Sequence, residues 1–133
     1  MKKNKRLFIS IGVLLLIVLG VVTAILLYKQ NDRQAILETT QEWARIEAIP
    51  DSAEITSIEK HGSPLTREFQ VTFTASEEVI REWLETSPGT RDVTPVIDGT
   101  LEKYSINPGG GAQFAEITYN TETNEVFIRT YWS

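Results

Sequence analysis

Leu7–Tyr28 reads LFISIGVLLLIVLGVVTAILLY, twenty-two residues without a charge. A bilayer interior offers no water to backbone amides, so an apolar run of this length satisfies its polar groups as a helix. At about 1.5 Å per residue it reaches roughly 33 Å, slightly more than a hydrocarbon core of about 30 Å. The expected organisation is a cytoplasmic tail at 1–6, a transmembrane helix at 7–28 and one extracytoplasmic domain at 29–133. About 100 residues suffice for one compact core. A secretory signal is the competing reading, with Val22-Thr23-Ala24 resembling a cleavage site. The apolar stretch outruns a signal core and continues through Ile25-Leu26-Leu27, so an uncleaved anchor is expected.

Charge is divided across this run. Lys2, Lys3, Lys5 and Arg6 precede it, while the remaining nine Lys and Arg face all eighteen Asp and Glu beyond it, a net of −9 on that side. Basic flanks stay on the cytoplasmic side, which places the N-terminus inside and the domain outside a plasma membrane, a bacterial inner membrane being the leading case. An acidic outer domain is repelled by phosphate backbones, so nucleic acid is discarded as a ligand. The chain has no cysteine, which removes disulfides, thiolate metal sites and thiol nucleophiles, and it has no glycosylation sequon. Gly20 and Ala24 form a small-xxx-small pair within the span, a candidate self-association face against the alternative of an ordinary lipid-facing helix.

Beyond the span, Ile36, Leu37, Thr40, Trp43, Ala44 and Glu47 recur at helical spacing, predicting a helix over Gln30–Ile49 that Pro50 stops. Nothing from Lys29 to Ala48 is Gly or Pro, so 29–34 is either a hinge or a direct continuation of the membrane helix. Ala53–Lys60 is strand-like but alternates imperfectly, since Ile55 and Ile58 share a face only across a bulge. Arg67–Ala75 alternates cleanly, with Phe69, Val71, Phe73 and Ala75 inward, and pairs with the preceding strand. Ser76 caps a second helix whose buried stripe is Val79, Ile80, Trp83 and Leu84 and which ends at Ser87-Pro88-Gly89. Thr90–Thr100, broken by Pro95, reads as loop. Three strands follow at Leu101–Asn107, Ala112–Asn120 and Glu125–Trp132. The fold class is α+β: a transmembrane helix, then the order α-β-β-α-β-β-β with an antiparallel sheet.

Matching the apolar faces of the last hairpin requires Tyr119 opposite Val126 or a register differing by two, and the Tyr119–Val126 register is favoured because it brings Glu116 to Arg129 and Phe114 to Tyr131. Ala115, Ile117, Tyr119, Val126, Ile128, Thr130 and Trp132 then form the core face, with Trp132 buried. A second face carries Phe114, Phe127 and Tyr131 and is too aromatic for plain solvent surface. Either the helix 30–49 covers it through Trp43 and Ile36, making three layers, or it is an exposed partner surface.

Chemistry has few candidates. His61 and Ser63 are the residues a small hydrolase would use, against the reading of a solvated turn with no acid placed to orient the histidine. Glu77, Glu78, Glu82 and Glu85 look like a solvated helix face rather than a metal site, and one histidine makes zinc a poor fit. Gly109-Gly110-Gly111 precedes a strand, not a helix, so a turn needing positive φ is favoured over a phosphate cradle. No cofactor or metal is expected. The preferred reading is a non-enzymatic, membrane-anchored binding or envelope-assembly module with Phe114, Glu116, Phe127, Arg129 and Tyr131 as partner-binding residues. A membrane-tethered inhibitor or immunity-type protein is the alternative, and the hydrolase is the alternative of another class.

Overall fold

The structure, a computed structural model, describes residues 2–133. Its elements are α1 (Lys2–Ala44), β1 (Glu54–Ser63), β2 (Thr66–Thr74), α2 (Glu77–Thr86), β3 (Val96–Asp98), β4 (Leu101–Ile106), β5 (Phe114–Asn120) and β6 (Glu125–Trp132). The residues up to Gln34 form one unit and Ala35–Ser133 another.

In the first unit, α1 is long and apolar enough to cross a membrane, and none of its apolar window is buried against protein. No break interrupts the helix at 29–34. Gly20 and Ala24 lie on an exposed stretch, and a methyl group added at Gly20 would meet nothing within 4 Å.

The second unit is a six-stranded antiparallel sheet in the order β1-β2-β6-β5-β4-β3. The expected hairpin register is observed: Tyr119 opposes Val126, Glu116 opposes Arg129 and Phe114 opposes Tyr131. The β1–β2 ladder shifts between Ile55 and Ser57, the bulge that lets Ile55 and Ile58 both face the core opposite Phe73 and Val71. Val96–Asp98, expected as loop, is a short edge strand on β4. The Asp98-Gly99 turn, with Gly99 at φ 61°, supplies the tight reversal, and Pro95 falls just outside the paired residues.

Both helices cover one face. Trp43 of α1 stacks on Phe69 with ring centroids 5.2 Å apart, and Trp83 of α2 meets Phe73 edge-on, also at 5.2 Å. The core between the layers includes Ile36, Trp43, Ile80, Trp83, Leu84, Val71, Ile117, Tyr119, Val126 and Ile128. The expectation that α1 covers the second face, that of Phe114, Phe127 and Tyr131, is therefore corrected: the helix packs on the opposite face, that of Phe69, Val71, Ile117 and Ile128. The reason lies in β2, which pairs directly with β6 and so brings Phe69, Val71 and Phe73 level with Thr130, Ile128 and Val126. This makes that face the larger apolar surface, and burial of apolar area decides where a helix docks.

The end of α1 is also corrected. The helix stops at Ala44, before Pro50, and leaves Glu47 exposed outside it. Arg45 adopts φ 52°, Ile46 N–H donates to Gln41 O at 3.1 Å and Arg45 N–H to Glu42 O at 3.3 Å, a Schellman closure with arginine where glycine is usual. Burial of Ile46 helps to offset that strain. Two glycine segments complete the cap: Gly89 N–H donates to Arg45 O at 2.6 Å and Gly109 N–H to Trp43 O at 2.9 Å. The triple glycine is thus docked against the helix end, with Gly110 at φ 61° and its Cα so close that a Cβ would lie 2.8 Å from Trp43 Cδ1.

Ser76 caps α2 as expected, its Oγ accepting from Val79 N–H at 3.3 Å. Trp132 is not buried but 40% exposed. The β5–β6 ladder ends at Phe114–Tyr131, and on that side Trp132 is flanked by Gln113, whose N–H donates to Tyr131 O at 2.9 Å and whose side-chain amide donates to Ser133 O at 3.0 Å.

Candidate partner surface

Directly paired residues of an antiparallel sheet share a face, so the registers define the surface opposite the helices. Four rows cross it. One runs His61, Glu68, Tyr131, Phe114; the next Glu59, Gln70, Arg129, Glu116, Ser105. A third runs Ser57, Thr72, Phe127, Thr118, Lys103, Val96, and the last Glu54, Thr74, Glu125, Asn120, Leu101, Asp98. All five partner-binding residues expected from the sequence lie together here. Phe127, Tyr131 and Glu116 are half-buried, while Phe114 and Arg129 are exposed. The side chains shelter one another, and within this unit α2 and the Ala35–Ala44 part of α1 pack on the opposite face.

Charge on this face is largely internally committed. Arg129 Nε donates to Glu68 Oε1, which also accepts from Gln70 Nε2 at 3.1 Å. These bonds hold the Glu68 carboxyl below the usual carboxylate range, the Arg129 contribution being largest. The Arg129 guanidinium also sits 5.3 Å from the centre of the Phe114 ring, a cation–π contact. Lys103 Nζ is 3.4 Å from Asp98 Oδ2, and His61 Nε2 is 3.2 Å from Glu59 Oε2. The Glu116–Arg129 ion pair implied by their register does not form. Arg129 reaches across to β2 instead, where Gln70 has already oriented Glu68. The hairpin alone carries no signal for this, because β2 and β6 are separated by more than fifty residues.

His61 and Ser63 are not brought together as a nucleophilic pair. The Ser63 hydroxyl lies 3.0 Å from Thr66 Oγ1 and accepts from Leu65 N–H at 3.2 Å, closing the β1–β2 turn. No hydrogen bond links it to His61 among the described residues. Nor do three or more His, Asp or Glu side chains converge as a metal-binding group there.

On the helix side, Arg81 donates to both oxygens of Glu102 at 2.6 and 2.8 Å, and Tyr104 OH donates to Glu102 at 3.2 Å. Arg81 also lies 5.0 Å from the Tyr119 ring centre. The paired guanidinium holds the Glu102 carboxyl low, while burial, aided by the Glu102 charge, pushes the Tyr104 phenol up to about 12. The network ties α2 to β4 and β5. Elsewhere on α2, an open cleft of about 490 Å³ runs between the 47–52 segment and the helix, lined by Glu47, Pro50, Ser52, Val79, Glu82 and Trp83. The sequence carried no local signal for this cleft, since its walls come from segments remote in sequence. Trp83 Nε1–H spans it by donating to Glu47 O at 3.0 Å.

No known protein family, no curated protein and no solved structure matches this chain.

Proposed function

We propose that this chain is a single-pass membrane protein whose acidic α+β domain is a non-catalytic binding module using the open sheet face. The observation that carries the reading is the one-sided packing of α1 and α2. It leaves Phe114, Phe127 and Tyr131 as an aromatic patch with no covering element, and such patches are characteristic of interfaces. The anchor is Leu7–Tyr28, with the basic tail inside and the −9 segment outside, and the protein supports an assembly at the outer surface of that membrane.

Photo-crosslinking in intact cells from position 127 or 131, followed by mass spectrometry, tests the surface. A distinct protein crosslinked from both positions, and not from position 122 in the β5–β6 turn, is the expected result. Only solvent or lipid adducts would exclude the face as an interface. Protease added to intact spheroplasts tests the orientation, with degradation of 29–133 expected and full protection refuting it.

A further inference from the structure

Of the open-face carboxylates with no hydrogen bond or ion pair among the described residues, Glu54 and Glu125 are exposed and Glu116 is half-buried. Glu116 is half-buried in β5, next to Phe114 on its own strand. Arg129 lies opposite it on β6, and Lys103 is a diagonal neighbour on β4. Both cations are within reach by position, and both are committed elsewhere, Arg129 to Glu68 and Lys103 to Asp98. Glu116 has no hydrogen bond or ion pair among the described residues, although aromatic side chains flank it.

We infer that Glu116 is the selectivity element of the proposed interface, receiving an arginine or lysine side chain from a polypeptide partner that carries it among apolar residues. The inference rests on the binding-surface reading and adds the partner's chemistry. Charge complementarity commits it to that occupant. The face holds the carboxylates of Glu54, Glu59, Glu68, Asp98, Glu116 and Glu125 against two permanent cations, so it repels a second copy of itself and an anionic lipid surface alike. An aromatic surround favours a guanidinium in particular, which stacks on ring faces while its N–H groups bridge a carboxylate. Docking it there completes an alternation across the sheet: Glu68, Arg129, the incoming cation and Glu116.

The test uses the full chain in lipid nanodiscs and two synthetic peptides, Ac-Gly-Leu-Arg-Leu-Gly-amide and the same peptide with citrulline, an uncharged isostere, in place of arginine. Binding is read by chemical-shift perturbation. The arginine peptide is expected to bind about tenfold or more tightly than its citrulline counterpart, the range set by a charge-assisted hydrogen bond. Glu116→Gln is expected to abolish that preference, and Glu122→Gln, an exposed acid off the face, to leave it intact. Glu116 makes no bonds that folding depends on, and an unchanged melting temperature verifies this for the variant. Equal binding of both peptides, no binding of either, or a preference that survives Glu116→Gln overturns the inference. A preference lost equally in Glu122→Gln also overturns it, because it reports only overall acidity, as does self-association that depends on Glu116. If both peptides bind equally and both are lost in Phe127→Ala, the face is an interface and only the role of Glu116 fails. Absence of peptide binding together with absence of crosslinks from 127 and 131 removes both readings.

Discussion

Trp43 lies against Phe69 with the two rings 23° from parallel, and this contact fixes which face of the sheet the first helix covers. The same residues could have been arranged with α1 on the Phe127–Tyr131 side. Because they are not, the aromatic face is left open and the core is two layers thick.

Removal of the Trp43 ring is therefore expected to cost about 3–5 kcal/mol, the range for truncating a large buried aromatic. Phe127→Ala, on the open face, is expected to cost less than about 1.5 kcal/mol, since its half-buried ring loses only part of its transfer energy. Urea denaturation of the full chain in detergent, followed by tryptophan fluorescence for Phe127→Ala and by far-UV circular dichroism for Trp43→Ala, measures both. Equal costs would mean that the open face is part of the stabilising core.

The glycines at the end of α1 differ in what they tolerate. A Cβ at Gly89 overlaps the Ala44 carbonyl oxygen, whereas one at Gly111 meets nothing within 4 Å and carries only the strain of φ 80°. Gly89→Ala is expected to destabilise by about 2–3 kcal/mol or more, in the upper range for forced overpacking. Gly111→Ala is expected to cost about 1–2 kcal/mol, the penalty for left-handed backbone at a residue with a side chain. Thermal melts of the two variants against the parent give the order.

Acid sensitivity follows from the two lowered carboxyls. Glu102, held by Arg81, and Glu68, held by Arg129, keep their charge to lower pH in the folded chain than in the unfolded one. The unfolded chain thus binds more protons in that window. The stabilisation is complete above the ordinary glutamate value of about 4.3 and is lost as pH falls through the lowered folded values. Glu102→Gln is expected to flatten the acid limb of a stability–pH curve, and equal slopes for variant and parent would count against the pairing.

Arg129 has two carboxylates within reach by register, and the structure gives it to Glu68. A double-mutant cycle on Arg129 and Glu68 is expected to show a coupling of about 0.5–1 kcal/mol, the upper part of the range for a partly exposed ion pair. The cycle on Arg129 and Glu116 is expected to show none. A reversed ranking would assign the guanidinium to Glu116 and count against that carboxylate standing unpaired for a partner.

The sequence by itself determined the local elements and the last hairpin. Uncharged length defines the apolar part of α1, Ser76 with two following glutamates starts α2, and period-two alternation on both strands limits the hairpin to registers two residues apart, among which the cross-strand pairs favour Tyr119 opposite Val126. It also marked Phe114, Glu116, Phe127, Arg129 and Tyr131 as one face, because alternation is a property of the chain itself. Tertiary structure alone decided what that face meets. The direct pairing of β2 with β6 joins segments far apart in sequence, and it both enlarges the apolar face that draws the helices and supplies Glu68 to Arg129. The same holds for the end of α1, where Arg45 accepts a left-handed conformation because Ile46 is buried and Gly89 and Gly109 bring their N–H groups to its carbonyls. Periodicity records which way a side chain points, whereas its neighbour across the sheet depends on which surfaces compete for burial, and that competition is settled only when the whole domain is assembled.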